Sequence, residues 1–190
     1  MKTKLLSLGL CALVLTACNS KNEEKKKASD AEKTYQLVWT DEFDAPGLPD
    51  PDKWFLETDA PENGGWYNNE KQHYTDRIEN AEVSDGTLKI IAKKESYTHN
   101  GSTQEFTSAR FNSKFHFTYG KVEVRAKLPR MQGTWPAIWA LGTNLPEVGW
   151  PACGEIDMME QLFENHLMVQ SAVHVAGRYG DYPALKQLSV

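Results

Sequence analysis

The chain has 190 residues, 21 Lys and Arg against 26 Asp and Glu for a net charge of −5, and 40% hydrophobic residues. That composition fits one globular domain, and from residue 35 onward the balance is 14 basic against 22 acidic side chains. An acidic domain argues against a nucleic-acid partner, because phosphate backbones are gripped by basic patches that displace counterions.

Lys2 and Lys4 precede an apolar run from Leu5 to Val14, closed by Leu15-Thr16-Ala17-Cys18. Small residues after a short apolar run read as a secretory signal, and the run falls short of the roughly 20 residues a membrane-spanning helix needs. Leu-Thr-Ala-Cys also resembles the lipobox of bacterial lipoproteins. That resemblance implies a leader over residues 1–17, a lipidated Cys18 with a tether through residue 34, and a folded domain over 35–190. Several acyl chains make a stable anchor, since each buried methylene adds about 0.8 kcal/mol. The chain is therefore expected to be exported and held at a membrane, at the outer membrane or cell surface; Glu23-Glu24 points weakly outward. Cys11 would leave with the leader and Cys18 would carry lipid, so Cys153 remains alone, without an intramolecular disulfide. It reads as a small buried residue rather than a nucleophile.

From Tyr35 onward apolar residues recur with period two and turn residues punctuate them. Strands are expected at Gln36 to Trp39 and Trp54 to Glu57. Gly64-Gly65-Trp66-Tyr67-Asn68-Asn69-Glu70 follows as a loop of stacking rings and amides suited to a polyol. Ala81 to Ser84 and Thr87 to Ile90 flank Asp85-Gly86, a pair suited to the left-handed positions of a type I′ hairpin. Phe106 to Phe111 and Phe115 to Tyr119 are further strand candidates; Arg110, after Thr107-Ser108-Ala109, is either a donor to sugar hydroxyls or a strand-edge ion pair. The clearest alternation is Lys121-Val122-Glu123-Val124-Arg125-Ala126-Lys127-Leu128, which predicts a half-buried strand. Trp135 and Trp139 lie four residues apart, on one face if extended, either stacking on sugar rings or filling a core. Ile138 to Leu141, Glu155 to Glu160 and Val169 to Val175 complete the set, with His174 at a strand end as a partner of the site or a simple polar terminus. Many short strands and no long helical period predict an all-β, antiparallel β-sandwich, with a concanavalin-like jelly roll as the leading form.

The acidic strand carries the chemistry. In Glu155-Ile156-Asp157-Met158-Met159-Glu160, Glu155 and Asp157 share a face while Glu160 is out of phase by one residue. A bulge at Met158-Met159 would bring all three acids onto one surface. Crowded carboxylates repel, and at least one should keep its proton near neutrality. Retaining glycosidases use such a pair about 5 to 5.5 Å apart, one as nucleophile and one as general acid. A calcium cluster or an acidic solvent-facing strand are the alternatives.

Together, Trp39-Thr40-Asp41-Glu42-Phe43, Gly65 to Glu70, Thr107 to Arg110, Tyr119 to Glu123, Gly133 to Trp139 and Trp150 to Glu160 resemble the bacterial laminarinases, the endo-β-1,3-glucanases of glycoside hydrolase family 16. The resemblance implies a jelly roll with a cleft and retaining hydrolysis of internal β-1,3 or mixed β-1,3/1,4 glucan linkages, such as those of laminarin. Matched residue by residue, it makes Glu155 the nucleophile, Asp157 the assisting acid and Glu160 the general acid/base. Trp135, Trp139, Arg110, Trp66 and Asn68 fall on the substrate cleft, and His174 is counted with them. No cofactor is required; a structural calcium, common in the family with ligands partly from the C-terminal region, stays open. The expected partners are β-glucan and, through the anchor, a membrane, with the protein a monomer. Family domains continue past Val190, and Pro183 to Gln187 does not look like a family strand, so a C-terminally truncated domain is expected. The alternatives are a non-catalytic glycan-binding surface lipoprotein and an inactive fragment.

Overall fold

A computed structural model describes residues 34–61, 64–162, 167–181 and 183–189. The leader, Cys18 and nearly all of the tether lie outside the described residues. The chain divides into two units at Thr40. In the first, the expected strand from Gln36 to Trp39 is absent: residues 34–40 belong to no strand.

The second unit is built of short strands. They are β1 (Trp54–Leu56), β2 (Gln72–Tyr74), β3 (Ala81–Ser84), β4 (Thr87–Ile90), β5 (Lys93–His99), β6 (Ser102–Ser108) and β7 (Phe111–Ser113). After a long irregular stretch come β8 (Ala137–Leu141), the single-turn helix α1 (Leu145–Val148), β9 (Glu155–Glu160), β10 (Met168–His174) and β11 (Ala184–Ser189). The described strands form a four-stranded sheet ordered β11-β10-β9-β8, a three-stranded sheet ordered β2-β6-β5, and the pairs β1-β7 and β3-β4. All pairings are antiparallel except β2 with β6. The architecture is all-β, as the period-two pattern predicts.

The hairpin β3-β4 turns at Asp85 and Gly86 with φ of 54° and 65°, the left-handed pair that a type I′ turn requires. Three further expectations fail. Lys121 to Leu128 lies outside every strand, with Val122 and Val124 exposed, and Phe115 to Tyr119 is likewise irregular. Alternation makes one face apolar, but a strand exists only where a neighbour supplies its backbone hydrogen bonds, and none of the described strands pairs with these segments. Conversely Ala184 to Ser189 is a strand, paired in register with β10 from Met168↔Ser189 to Val173↔Ala184. Its alternation is weak because most of its side chains are exposed.

The interior is unusually polar. Besides Ala81, Val83, Ala109 and Ala172, the buried residues include Thr75, Asn80 and Thr107. Thr75 Oγ1 donates to Asn80 Oδ1 at 2.5 Å, and Asn80 Nδ2 donates to Thr107 Oγ1 and to the Ile91 carbonyl, each at 2.9 Å. Thr107 Oγ1 in turn donates to Glu95 Oε1, which also receives Arg77. The side-chain oxygens and amide of this network satisfy one another, so it ties β5 and β6 to the loop between β2 and β3.

Candidate active site

Strand β9 is bulged where the sequence places the irregularity. Against β10 its register runs Gln170↔Glu160 and then Ala172↔Asp157, three residues facing two. Against β8 it runs Ile138↔Met159 and then Trp139↔Asp157. The carbonyl of Met158, left unpaired by the extra residue, accepts from Ser171 Oγ at 2.8 Å. The bulge restores the phase of Glu160. Asp157 and Glu160 are both buried, whereas Ile156, on the opposite face, is exposed.

Each outer acid is held by an indole. Trp150 Nε1 donates to Glu155 Oε2 at 2.5 Å, and Trp135 Nε1 donates to Glu160 Oε1 at 2.8 Å. Glu160 takes a second donor, Gln170 Nε2 at 3.2 Å, whose own Oε1 receives Gln187 Nε2 at 3.4 Å from the register-paired position on β11. Trp150 is presented by α1: Gly149, with φ of 69°, stops the helix, and the indole then packs edge-on against Tyr179 at 5.2 Å.

Asp157 lies between them. His174 Nε2 is 3.1 Å from its Oδ2, and the other ring nitrogen, Nδ1, accepts the backbone N–H of Gly180 at 3.1 Å. Burial, then the charges of Glu155 and Glu160 and a hydrogen bond with Glu155, push the Asp157 carboxyl up to about 7. A neutral carboxylic acid donating to its neighbour is the expected outcome for crowded acids out of water.

A column of stacked groups stands against the same surface. The Arg110 guanidinium lies 4.6 Å from the centre of the Trp139 ring and 5.5 Å from that of Trp66, and Trp66 packs edge-on against Tyr74 at 4.6 Å. Arg110 Nε is 2.8 Å from Glu57 Oε2, an ion pair set off the hydrogen-bonding axis. Tyr74 donates to Glu70 at 2.7 Å; burial and that carboxylate push its phenol well above the ordinary range. Trp139 is register-paired with Asp157, so the column begins on the face that carries the acids.

The structure thus gathers Glu155, Asp157, Glu160, Trp135, Trp139, Arg110 and His174 along the length of β9 and its neighbours β8 and β10. Trp66 is only 6% exposed, with Arg110 and Tyr74 against it, so it supports the guanidinium rather than offering an open ring. Asn68 stands exposed in the 3-10 turn Tyr67–Asn69, in a left-handed conformation with φ of 57°. Sequence reasoning missed Trp150, Gln170 and Gly180 as members of the site. The first two had a signal: Trp150 opens the segment leading to the acids, and Gln170 falls in alternation with His174. Among the described residues no group of three or more His, Cys, Asp or Glu is arranged to hold a metal ion.

The profile of the glycosyl hydrolases family 16 matches residues 68–189. A β-glucanase from Rhodothermus marinus is 43% identical over 166 residues, covering 85% of this chain and 54% of that protein. Among solved structures, a variant of LamA from Zobellia galactanivorans, crystallised with laminaritriose and laminaritetraose, is 51% identical with a TM-score of 0.74. That match covers 81% of this chain and 67% of the other. The laminarinase catalytic domain of Thermotoga maritima is 44% identical with a TM-score of 0.77, covering 83% and 64%. The chain spans about half the length of the curated relative and about two-thirds of the solved domains. These likenesses place the fold in the jelly-roll class that the strand pattern predicts, and the chain belongs to the glycosyl hydrolases family 16.

Proposed function

We propose that the protein is a retaining glycoside hydrolase that cleaves internal β-1,3, and mixed β-1,3/1,4, linkages of glucans such as laminarin. The observation that carries this reading is the bulged strand β9, which sets buried Asp157, its carboxyl pushed up to about 7, between Glu155 and Glu160. Glu155 attacks the anomeric carbon and forms a glycosyl ester while Glu160 gives its proton to the departing oxygen. In the second step Glu160 takes a proton from the incoming water, which attacks the same carbon and returns Glu155 as a carboxylate. Asp157 donates to Glu155 and tempers its charge as the ester forms and breaks. The Arg110 column and the half-exposed ring of Trp135, at 47%, supply the polar and stacking contacts that a glucan needs.

The leader and Cys18 add the setting: a lipid-anchored monomer, exported and held at the outer membrane or cell surface, acting on polysaccharide outside the cell. Metabolic labelling with a palmitate analogue, lost in Cys18→Ser, tests the anchor.

Incubation of laminarin with the protein and with Glu155→Gln tests the chemistry. Oligosaccharides of retained anomeric configuration from the parent alone are expected; release by the variant at the parental rate would remove Glu155 from its role.

A further inference from the structure

His174 joins two hydrogen bonds that make different demands on its ring. Nδ1 accepts the Gly180 N–H at 3.1 Å, so it carries no proton, and the ring's hydrogen must then sit on Nε2, facing Asp157 Oδ2 at 3.1 Å. The Gly180 donor is fixed by local structure: Val175 and Arg178 exchange backbone hydrogen bonds of 3.0 and 2.9 Å, and the turn closes with Gly180 at φ of 61°. His174 and Asp157 are little exposed, at 14% and 6%.

Two arrangements of the pair contain the same number of protons: a neutral imidazole beside a carboxylic acid, and an imidazolium beside a carboxylate. The second needs a hydrogen on Nδ1, where it would point at the Gly180 N–H, donor against donor. The titratable groups facing the ring are Asp157 and, at the register-paired position of β9, Glu155; the Trp150 ring stands 5.9 Å away with Tyr179 on it at 5.2 Å.

We infer that His174 is a positioning residue whose Nδ1, occupied by the Gly180 N–H, keeps the imidazole neutral and so leaves the shared proton on Asp157, facing Glu155. This rests on the glucanase reading for its consequence, since that proton is the one Asp157 donates to the nucleophile. The turn after β10 thereby decides whether the pair is neutral or an ion pair.

Two measurements test it. In the full chain labelled with ¹⁵N-histidine, His174 is expected at pH 7 as the neutral form with hydrogen on Nε2; an imidazolium or an Nδ1–H form overturns the inference. In kinetics on laminarin, His174→Gln keeps an amide donor for Asp157 and cannot become a cation, so it should retain more of the parental kcat than a cationic replacement at the same position. His174→Lys installs a permanent cation that draws the proton off Asp157, and its kcat should fall about 10-fold or more with little change in KM. Equal kcat in the two variants would overturn the charge argument. A parent that leaves laminarin uncut defeats the glucanase reading while the ¹⁵N signature still decides the tautomer.

Discussion

Trp150 sets its indole N–H on Oε2 of Glu155 at 2.5 Å. A carboxylate that attacks carbon must present one oxygen in one direction, and a fixed donor on the other oxygen does that without adding charge. Trp150→Phe removes the N–H together with one of the two fused rings; a phenyl ring remains to meet Tyr179. The expected result is a kcat about 10-fold lower on laminarin, the size of one lost charge-assisted hydrogen bond at a half-open position, with a nearly unchanged melting temperature. An unchanged kcat would mean that the indole serves packing alone.

Arg110 and Trp66 should behave as one unit. Trp66 is too buried to stack on a sugar, yet it packs against the guanidinium, so its loss should be felt through Arg110. Arg110→Lys discards the planar group that lies over Trp139 and is expected to raise KM for laminarin about 3- to 10-fold. Trp66→Leu should raise KM by a similar factor and, unlike Arg110→Lys, also lower stability by about 2 to 4 kcal/mol. The double variant should be no worse in KM than either single one. Additive effects, measured by steady-state kinetics, would show that Trp66 contacts glucan independently.

The bulge and the site were legible to different depths. Glu155-Ile156-Asp157-Met158-Met159-Glu160 can put three acids on one face in only one way, so its local pattern carries its geometry. Trp66 could not be placed by pattern, because an aromatic in a Gly-rich loop looks the same whether it faces solvent or lies against an arginine distant in sequence. Lys121 to Leu128 shows the converse. Its alternation is better than that of β11, yet β11 pairs with β10 and Lys121 to Leu128 pairs with no described strand. Strand identity depends on a partner that no local window contains.

The Asp157 carboxyl, raised to about 7 by burial and by Glu155 and Glu160, makes stability depend on pH. Its unfolded value is near 3.8, so between about pH 4 and 7 the folded chain binds a proton that the unfolded chain has released. Stability contributed by this group therefore falls as pH rises through that window and levels off above it. The melting temperature should be higher at pH 5 than at pH 8, by about 5 °C from this group. Asp157→Asn, which cannot ionise, should remove most of that difference while abolishing most of the activity. A parent-like pH dependence in the variant, followed by calorimetry, would assign the effect to other carboxylates.

Gly142 is a glycine for reasons of space. A Cβ built on it would sit 2.1 Å from the backbone oxygen of Cys153, and its N–H donates to the Gly154 carbonyl at 3.1 Å. These contacts clamp the end of β8 to the residues just before Glu155. Because the obstacle is backbone rather than a side-chain tip, Gly142→Ala must push β8 and the start of β9 apart, moving Glu155 relative to Trp150. Gly149 offers the contrast: nothing lies within 4 Å of its would-be Cβ, but its φ of 69° is left-handed. Gly149→Ala should cost only about 1 kcal/mol of backbone strain and leave most of the activity. Gly142→Ala should cost about 2 kcal/mol or more and lower kcat beyond what the loss of folded protein explains. Denaturant melts paired with kcat per folded molecule separate the two, and equal kcat values would show that this clamp does not set the position of Glu155.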